Sequence, residues 1–272
     1  NGGLKELAKL PGHDKVFDVK VEGNRLYTAE GHDGFGVYEL DSEVAFKEVA
    51  RLPKISGEKD LALYVQPAVP GWLFCSDRRG IELYDVRALP TFKHVLHSGS
   101  CPGWDKYLSD ASPDGRFFAF NNAHASVKWF DLAAVPAPRQ TVETLVNRLS
   151  LSSGICHFRD GLSIASARGS YVLLQPGEGD PADGSPWKFL KLPVAFPGEG
   201  RGDAINGIPR SDGQRVVFTS RIERRAALYD FTDAERPALL NAWKLSGNPD
   251  IADFHAGKVV IPCGYAGVLL QK

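Results

Sequence analysis

Methionine is absent from all 272 residues, and the first residue is Asn1. A chain of this length ordinarily carries several methionines, so residues are expected to be missing and the N-terminus to be trimmed, with any targeting signal removed. Charge of either sign is not in excess. The 32 Lys and Arg residues stand against 33 Asp and Glu, a formal net charge of -1, which argues against nucleic acid or an anionic membrane as partner. No apolar run approaches the ~20 residues of a spanning helix, so no membrane span is expected. Cysteine is scarce, and Cys75, Cys101, Cys156 and Cys263 show no close metal-type spacing, which argues against an ordinary zinc site. They read as buried free thiols, with a Cys101–Cys156 bridge as the alternative. No G-x-S-x-G nucleophile turn occurs, and "GEGRGD" at 198–203 leads into no helix, so serine hydrolase and phosphate-loop chemistry lack support. Helical periodicity is missing except for a turn or two around 140–146.

What the chain does contain is turns, with Gly 28 and Pro 18, and a repeat. The segments "NRLYTAEGHDGFGVYEL", "GWLFCSDRRGIELYDV", "GRFFAFNNAHASVKWFDL", "GLSIASARGSYVLLQ", "QRVVFTSRIERRAALYDF" and "GKVVIPCGYAGVLLQ" are versions of one unit with two short apolar strands. Equivalent positions Tyr38, Tyr84, Phe130, Leu174, Tyr229 and Leu270 lie 46, 46, 44, 55 and 41 residues apart, a period that suits a four-stranded propeller blade. An inner strand is expected before each tight turn, for example Val16 to Val21, Leu61 to Val65 and Ile251 to Phe254. An outer, alternating strand is expected in "FKEVARLP", "FKHVLHSG", "WKFLKLPV" and "LLNAWKLSG". The chain opens on an outer strand, "LKELAKLPG", and ends on a blade without one, so the two termini complete each other. The fold class expected is therefore all-β: a single domain over 1–272, a six-bladed β-propeller closed by the N-terminal strand, with seven blades if a segment is missing. A β-sandwich or open array is the competing architecture. The loop at 177–185, "GEGDPADGS", accounts for the 55-residue interval as an inserted excursion.

The segments "GFGVYELD", "GIELYDV", "SVKWFDL" and "AALYDF" resemble the LVIVD-repeat type of β-propeller, in which a glycine-containing turn precedes hydrophobic, hydrophobic, aromatic or aliphatic, then Asp. None spells the motif literally. The resemblance implies the propeller fold and an exported or surface protein with a structural or binding role.

In a propeller, the loops between blades and those between second and third strands share one face. Here that face receives the charged and aromatic residues. The loops between second and third strands supply Glu30, His32, Asp33, Asp77, Arg78, Arg79, Asn121, Asn122, His124, Arg168, Arg221, Arg224, Arg225 and Tyr265; the loops between blades supply His13, Asp14, Trp104, Asp105, Arg201, Asp203 and Asp250. Arg78, Arg79, Arg168, Arg221 and Arg225 suit bidentate recognition of an anion, unless Asp33, Asp77 and Glu223 pair with them on the surface. Trp104 stacks on a sugar ring or closes a gap between blades. Trp72, Trp129, Trp187 and Trp243 read as packing residues on strands. Asp14, Asp60, Asp105, Asp203 and Asp250 recur near the inner strands. Asp14, Asp105, Asp203 and Asp250 are the candidate Ca²⁺ ligands, capping of adjoining backbone being the commoner use of such residues. No other cofactor is expected.

Two functions of different class follow. The first is an exported, monomeric binding or scaffold propeller for an anionic glycan or a partner protein. The second is a carbohydrate-active enzyme, a polysaccharide lyase or glycosidase. In it His13, His32 or His124 would serve as base and Tyr265 as acid, an analogy of fold alone.

Overall fold

The protein, in a computed structural model, is all-β. The structure describes residues 15–40, 45–54, 60–68, 71–77, 80–98, 108–111, 117–122, 126–132, 139–145, 151–159, 162–167, 170–175, 188–192, 209–220, 223–249 and 251–271. Two compact units divide the chain, Asn1–Tyr107 and Leu108–Lys272.

The first unit holds two four-stranded antiparallel sheets, each running in chain order. One comprises β1 (Asp18–Glu22), β2 (Arg25–Ala29), β3 (Phe35–Leu40) and β4 (Phe46–Leu52); the next comprises β5 (Tyr64–Ala68), β6 (Trp72–Ser76), β7 (Ile81–Asp85) and β8 (Lys93–Ser98). Alternation along β3 sends Phe35 and Val37 to one face, where they meet Leu73, Cys75 and Tyr84 of the second sheet in one apolar cluster. Each large side chain so buried contributes roughly 1.5–3 kcal/mol, so this face holds the two sheets together.

The second unit repeats the arrangement. Its sheets are β9 (Leu108–Ala111) to β12 (Arg139–Leu145), with β10 (Phe117–Asn122) and β11 (Ser126–Asp131) between them. Next come β13 (Leu151–Arg159), β14 (Leu162–Ala167), β15 (Ser170–Gln175) and β16 (Lys188–Lys191), followed by β17 (Arg210–Ser211), β18 (Arg215–Ser220), β19 (Arg225–Asp230) and β20 (Ala238–Lys244). The last sheet has three described strands, β21 (Asp253–His255), β22 (Lys258–Pro262) and β23 (Val268–Leu270). Ile164, Tyr171 and Leu173 pack on Phe218, Ala227 and Tyr229, and the opposite face of that sheet sets Val217, Ala226 and Leu228 against Val259 and Ile261. The expected repeat positions Tyr38, Tyr84, Phe130, Leu174, Tyr229 and Leu270 all fall on third strands. All but Leu270 are buried.

The inner strands begin later than the apolar pattern implies. They are Asp18–Glu22, Tyr64–Ala68 and Asp253–His255, because pairing runs outward from the hairpin turn. Glu22 faces Arg25 across a turn that opens on Gly23 (φ 60°), and His255 faces Lys258 across Ala256 (φ 48°) and Gly257 (φ 73°). Such positive φ values at turn centres match the strand twist. Pro67 is accommodated in β5, an edge strand of its sheet. The stretch around 140–146 is not helical, since Arg139–Leu145 forms β12. Asn121 and Asn122 end β10, paired with Val127 and Ser126, and are not loop residues. Cys75, Cys156 and Cys263 are free and buried, so Cys156 is not bridged. Cys101, Trp187, the excursion at 177–185 and the expected terminal strand within residues 1–14 lie outside the described residues.

A bulge recurs between third and fourth strands. Register shifts at Val37/Tyr38, Leu83/Tyr84, Trp129/Phe130 and Leu228/Tyr229, always beside the repeat position itself. The extra outer-strand residues are Val49, Val95, Thr141 and Leu240. Past a bulge, residues separated by three share a face, whereas strict alternation would separate them.

Candidate functional site

The turns between second and third strands carry the described members of the expected face. His32 and Asp33 are exposed in the β2–β3 turn, while Glu30 beside them is buried. Asp77, buried at the β6–β7 turn, accepts from the Gly80 backbone N–H at 3.2 Å. In the β18–β19 turn Arg224 is exposed and has a left-handed backbone (φ 53°). Arg225 follows with its Nε 3.9 Å from Glu223, a loose ion pair of the kind expected to satisfy the arginines. Tyr265 sits fully exposed in a short 3-10 turn, Gly264–Ala266, before β23. His13, Asp14, Arg78, Arg79, Trp104, Asp105, His124, Arg168, Arg201, Asp203, Arg221 and Asp250 lie outside the described residues. Asp60 is described and buried, and its carbonyl oxygen accepts from Lys54 Nζ at 2.7 Å. Of the expected packing tryptophans, Trp72 is buried on β6 beneath the Arg87 guanidinium, 4.7 Å from its ring centroid. Trp243 of β20 packs partly buried against the last sheet's cluster.

The most ordered polar chemistry of the first unit lies where the third strand meets the outer one. Glu30, with its side chain 0% exposed, accepts from Thr28 Oγ1 at 2.5 Å, Tyr38 OH at 2.6 Å and Arg51 Nη1 at 2.6 Å. Arg51 also donates to the Asp33 carbonyl at 3.1 Å, to Tyr38 OH at 3.0 Å and to Glu48 at 2.5 Å. Burial alone would push the Glu30 carboxyl up, but these donors outweigh it and hold it below its ordinary value. Burial, with the Glu30 charge beside it, drives the Tyr38 phenol well up. Gly36 makes the arrangement fit. A Cβ there would overlap the Tyr38 ring and stand 2.5 Å from Glu30 Oε1 and 2.6 Å from Thr28 Oγ1.

The second sheet builds a counterpart from different residues. Glu82, at 0% side-chain exposure on β7, lies 2.8 Å from His94 Nε2 and 2.6 Å from His97 Nδ1 of β8. Facing an ionised carboxylate, which only accepts, either ring nitrogen would act as donor. Tyr84, two residues on, sets its ring 5.3 Å from that of His94 and donates its hydroxyl to the Pro53 carbonyl at 2.7 Å. Cys75 faces Glu82 across the ladder. Burial, then the charges of Glu82 and Asp77, holds its thiol well up.

Arg51, Glu82, His94 and His97 are not among the expected site residues, because they sit on strands whereas the expected site is built from loops. The 46-residue repeat contains the signal, since Glu48 and Arg51 map onto His94 and His97. Among the described residues no group of three or more His, Cys, Asp or Glu side chains is arranged to hold a metal ion. In the Glu82 cluster the two imidazoles address opposite carboxylate oxygens.

No family model matches the sequence, the LVIVD repeats included, and no curated protein matches it. Solved structures do match. The computationally designed Ika8 protein aligns with a TM-score of 0.66 at 13% identity, over 98% of this chain and 74% of its own. Virginiamycin B lyase from Staphylococcus aureus aligns with a TM-score of 0.62 at 10% identity, over 93% of this chain and 78% of its own. A catalytically inactive variant of that lyase with quinupristin gives 0.61 at 11% identity, over 93% and 79%. At such identities the likeness concerns the fold: four-stranded antiparallel sheets of β-propeller type.

Proposed function

We propose that this chain is a binding propeller whose second-to-third-strand turns recognise an anionic glycan. Arg224 carries the reading. Its left-handed backbone costs about 1 kcal/mol for a residue with a Cβ, and glycine would relieve it, yet an exposed arginine stands there with Arg225 beside it. Arg221 in the same turn, with Arg78, Arg79 and Arg168 in the corresponding turns by sequence, would extend the cationic rim, and Trp104 would stack on a sugar ring. In its full form the proposal is a six-bladed ring of LVIVD-like repeats over 1–272, closed by the N-terminal strand, exported and monomeric. Ca²⁺ would be held by Asp14, Asp105, Asp203 and Asp250.

The test is titration of the protein with sulfated, carboxylated and neutral polysaccharides, with calcium and then with chelator. Binding restricted to acidic glycans, lost on raising salt and in Arg224→Glu/Arg225→Glu, is expected. Equal binding of neutral glycans would overturn the reading, and binding of a protein alone would replace the glycan by a partner protein.

A second reading, lyase or glycosidase chemistry with His13, His32 or His124 as base and Tyr265 as acid, is favoured by Tyr265, whose full exposure leaves it accessible to a substrate. The virginiamycin B lyase neighbours add an analogy of fold. Mass spectrometry of the same incubations separates the two. Fragments short of one water would identify elimination, hydrated fragments hydrolysis, and intact polysaccharide would leave binding as the function.

A further inference from the structure

The outer strands of the first two sheets are fastened at the same register by different chemistry. Arg51 faces Gly36 and Glu48 faces Tyr38 in the first sheet; His97 faces Glu82 and His94 faces Tyr84 in the second. The bulges at Val49 and Val95 bring both members of each outer-strand pair to one side of the sheet. There each pair meets a carboxylate with no exposed side-chain surface. Glu30 reaches that place from the β2–β3 turn, through the space Gly36 leaves empty. Glu82 occupies it directly from β7. One clamp therefore has a guanidinium, charged at every accessible pH, and the other has two imidazoles, the side-chain type that changes charge between about pH 5 and 8.

We propose that Glu82, His94 and His97 form a proton-controlled clamp on β8, tight while the imidazoles are charged and slack once they are neutral, whereas Arg51 holds the matching clamp on β4 at constant charge. Protonated, each imidazole makes a charge-assisted hydrogen bond to a buried anion. Deprotonated, it still donates from the same nitrogen, but neutral hydrogen bonds are roughly half as strong and the buried carboxylate loses its counter-charge. The other ionisable groups around Glu82 are Cys75, Asp77 and Tyr84. Among the described residues around Glu82, these three included, none but the imidazoles carries positive charge. The packed face of the first sheet adds the apolar Phe35, Val37, Ala50 and Leu52. Lys93 lies on β8 and is exposed. The clamp sits one residue inside the Ile81–Ser98 pair that ends the ladder beside the β6–β7 turn, so its release frees the outer strand at the end of the sheet that bears that turn.

Hydrogen exchange of the full chain tests this. Protection of residues 93–98, corrected for intrinsic rates and divided by that of 46–52, is measured from pH 5.5 to pH 8. The ratio is expected to fall about fivefold or more in the wild type. It should stay flat in His94→Glu/His97→Arg, which copies Glu48 and Arg51 onto the second sheet. His94→Gln/His97→Gln, which keeps a donor without a titrating ring, should be equally flat and serves if the first variant does not fold. In Glu82→Gln the trend should reverse, since charged imidazoles then face no anion. A flat wild-type ratio, or the wild-type fall persisting in any variant, overturns the proposal.

Discussion

Arg51 and His97 stand at one and the same place in consecutive sheets, each on the outer strand opposite the residue two before the repeat position (Tyr38, Tyr84) and each touching a buried carboxylate. At the same register the third sheet sets Glu143 opposite Lys128, and the fifth sets Ala242 opposite Ala227. The backbone repeat thus tolerates a guanidinium, an imidazole, a carboxylate or a methyl at one position. What these four sheets share is the bulge next to it.

Replacing Gly36 tests the close packing under that bulge. Gly36→Ala would drive a methyl into Tyr38, Glu30 and Thr28, and should cost about 1–3 kcal/mol by urea denaturation. Gly23→Ala meets nothing within 4 Å and suffers only its φ of 60°, so its cost should be about 1 kcal/mol. Equal losses would refute steric crowding at Gly36.

Acid should act through Glu30. Its carboxyl is depressed on folding, so the stability it contributes is complete above the unfolded value of about 4.3 and is lost as pH falls through the folded value. Glu30→Gln should lower the thermal midpoint at pH 7 and flatten its decline below pH about 4.3. Arg51→Met leaves the carboxylate buried without its cation. Arg51 itself is 31% exposed, which softens the penalty to about 2–3 kcal/mol at pH 7.

Thiol reactivity should separate the cysteines. Cys75, Cys156 and Cys263 are buried, so a thiol reagent should label the native protein at Cys101 alone or not at all, and at all four after denaturation. Rapid native labelling at Cys75 would contradict its burial and its raised thiol.

Arg224 should show opposite effects on stability and binding. Arg224→Gly relieves the positive φ and should raise stability by about 1 kcal/mol while weakening affinity for acidic polysaccharide. Loss of both, read by thermal melting and titration, would assign Arg224 to the fold and not to a ligand.

Third strands were legible because a buried residue recurs there with a fixed local pattern; Tyr38, Tyr84, Phe130 and Tyr229 all lie where the repeat put them. Inner strands were less so. Val16 and Phe17 are apolar yet 43% exposed and precede β1, with only Phe17 bonded to β2, through its N–H to the Ala29 carbonyl, so hydrophobicity there does not mark the strand's start. The Glu82 clamp was hidden for another reason: His94 and His97 are three apart, and only the bulge at Val95, which leaves no mark in composition, turns them to one side. Glu30 was placed correctly in its turn, but its inward direction depends on the space left by Gly36, a tertiary fact.

The recurring bulge also bears on how such molecules avoid sticking to one another. β4, β8, β12 and β20 are the last strands of their sheets, each with a row of backbone donors and acceptors that a neighbouring molecule could pair with. An extra residue partway along breaks that row into two short, mutually twisted pieces, and a straight incoming strand cannot match both. β16 has no such break, but it is only four residues long and carries Lys188 and Lys191. Straightening the largely exposed β20 by deleting Leu240 would therefore be felt first as turbidity at high protein concentration, before any loss of the native fold.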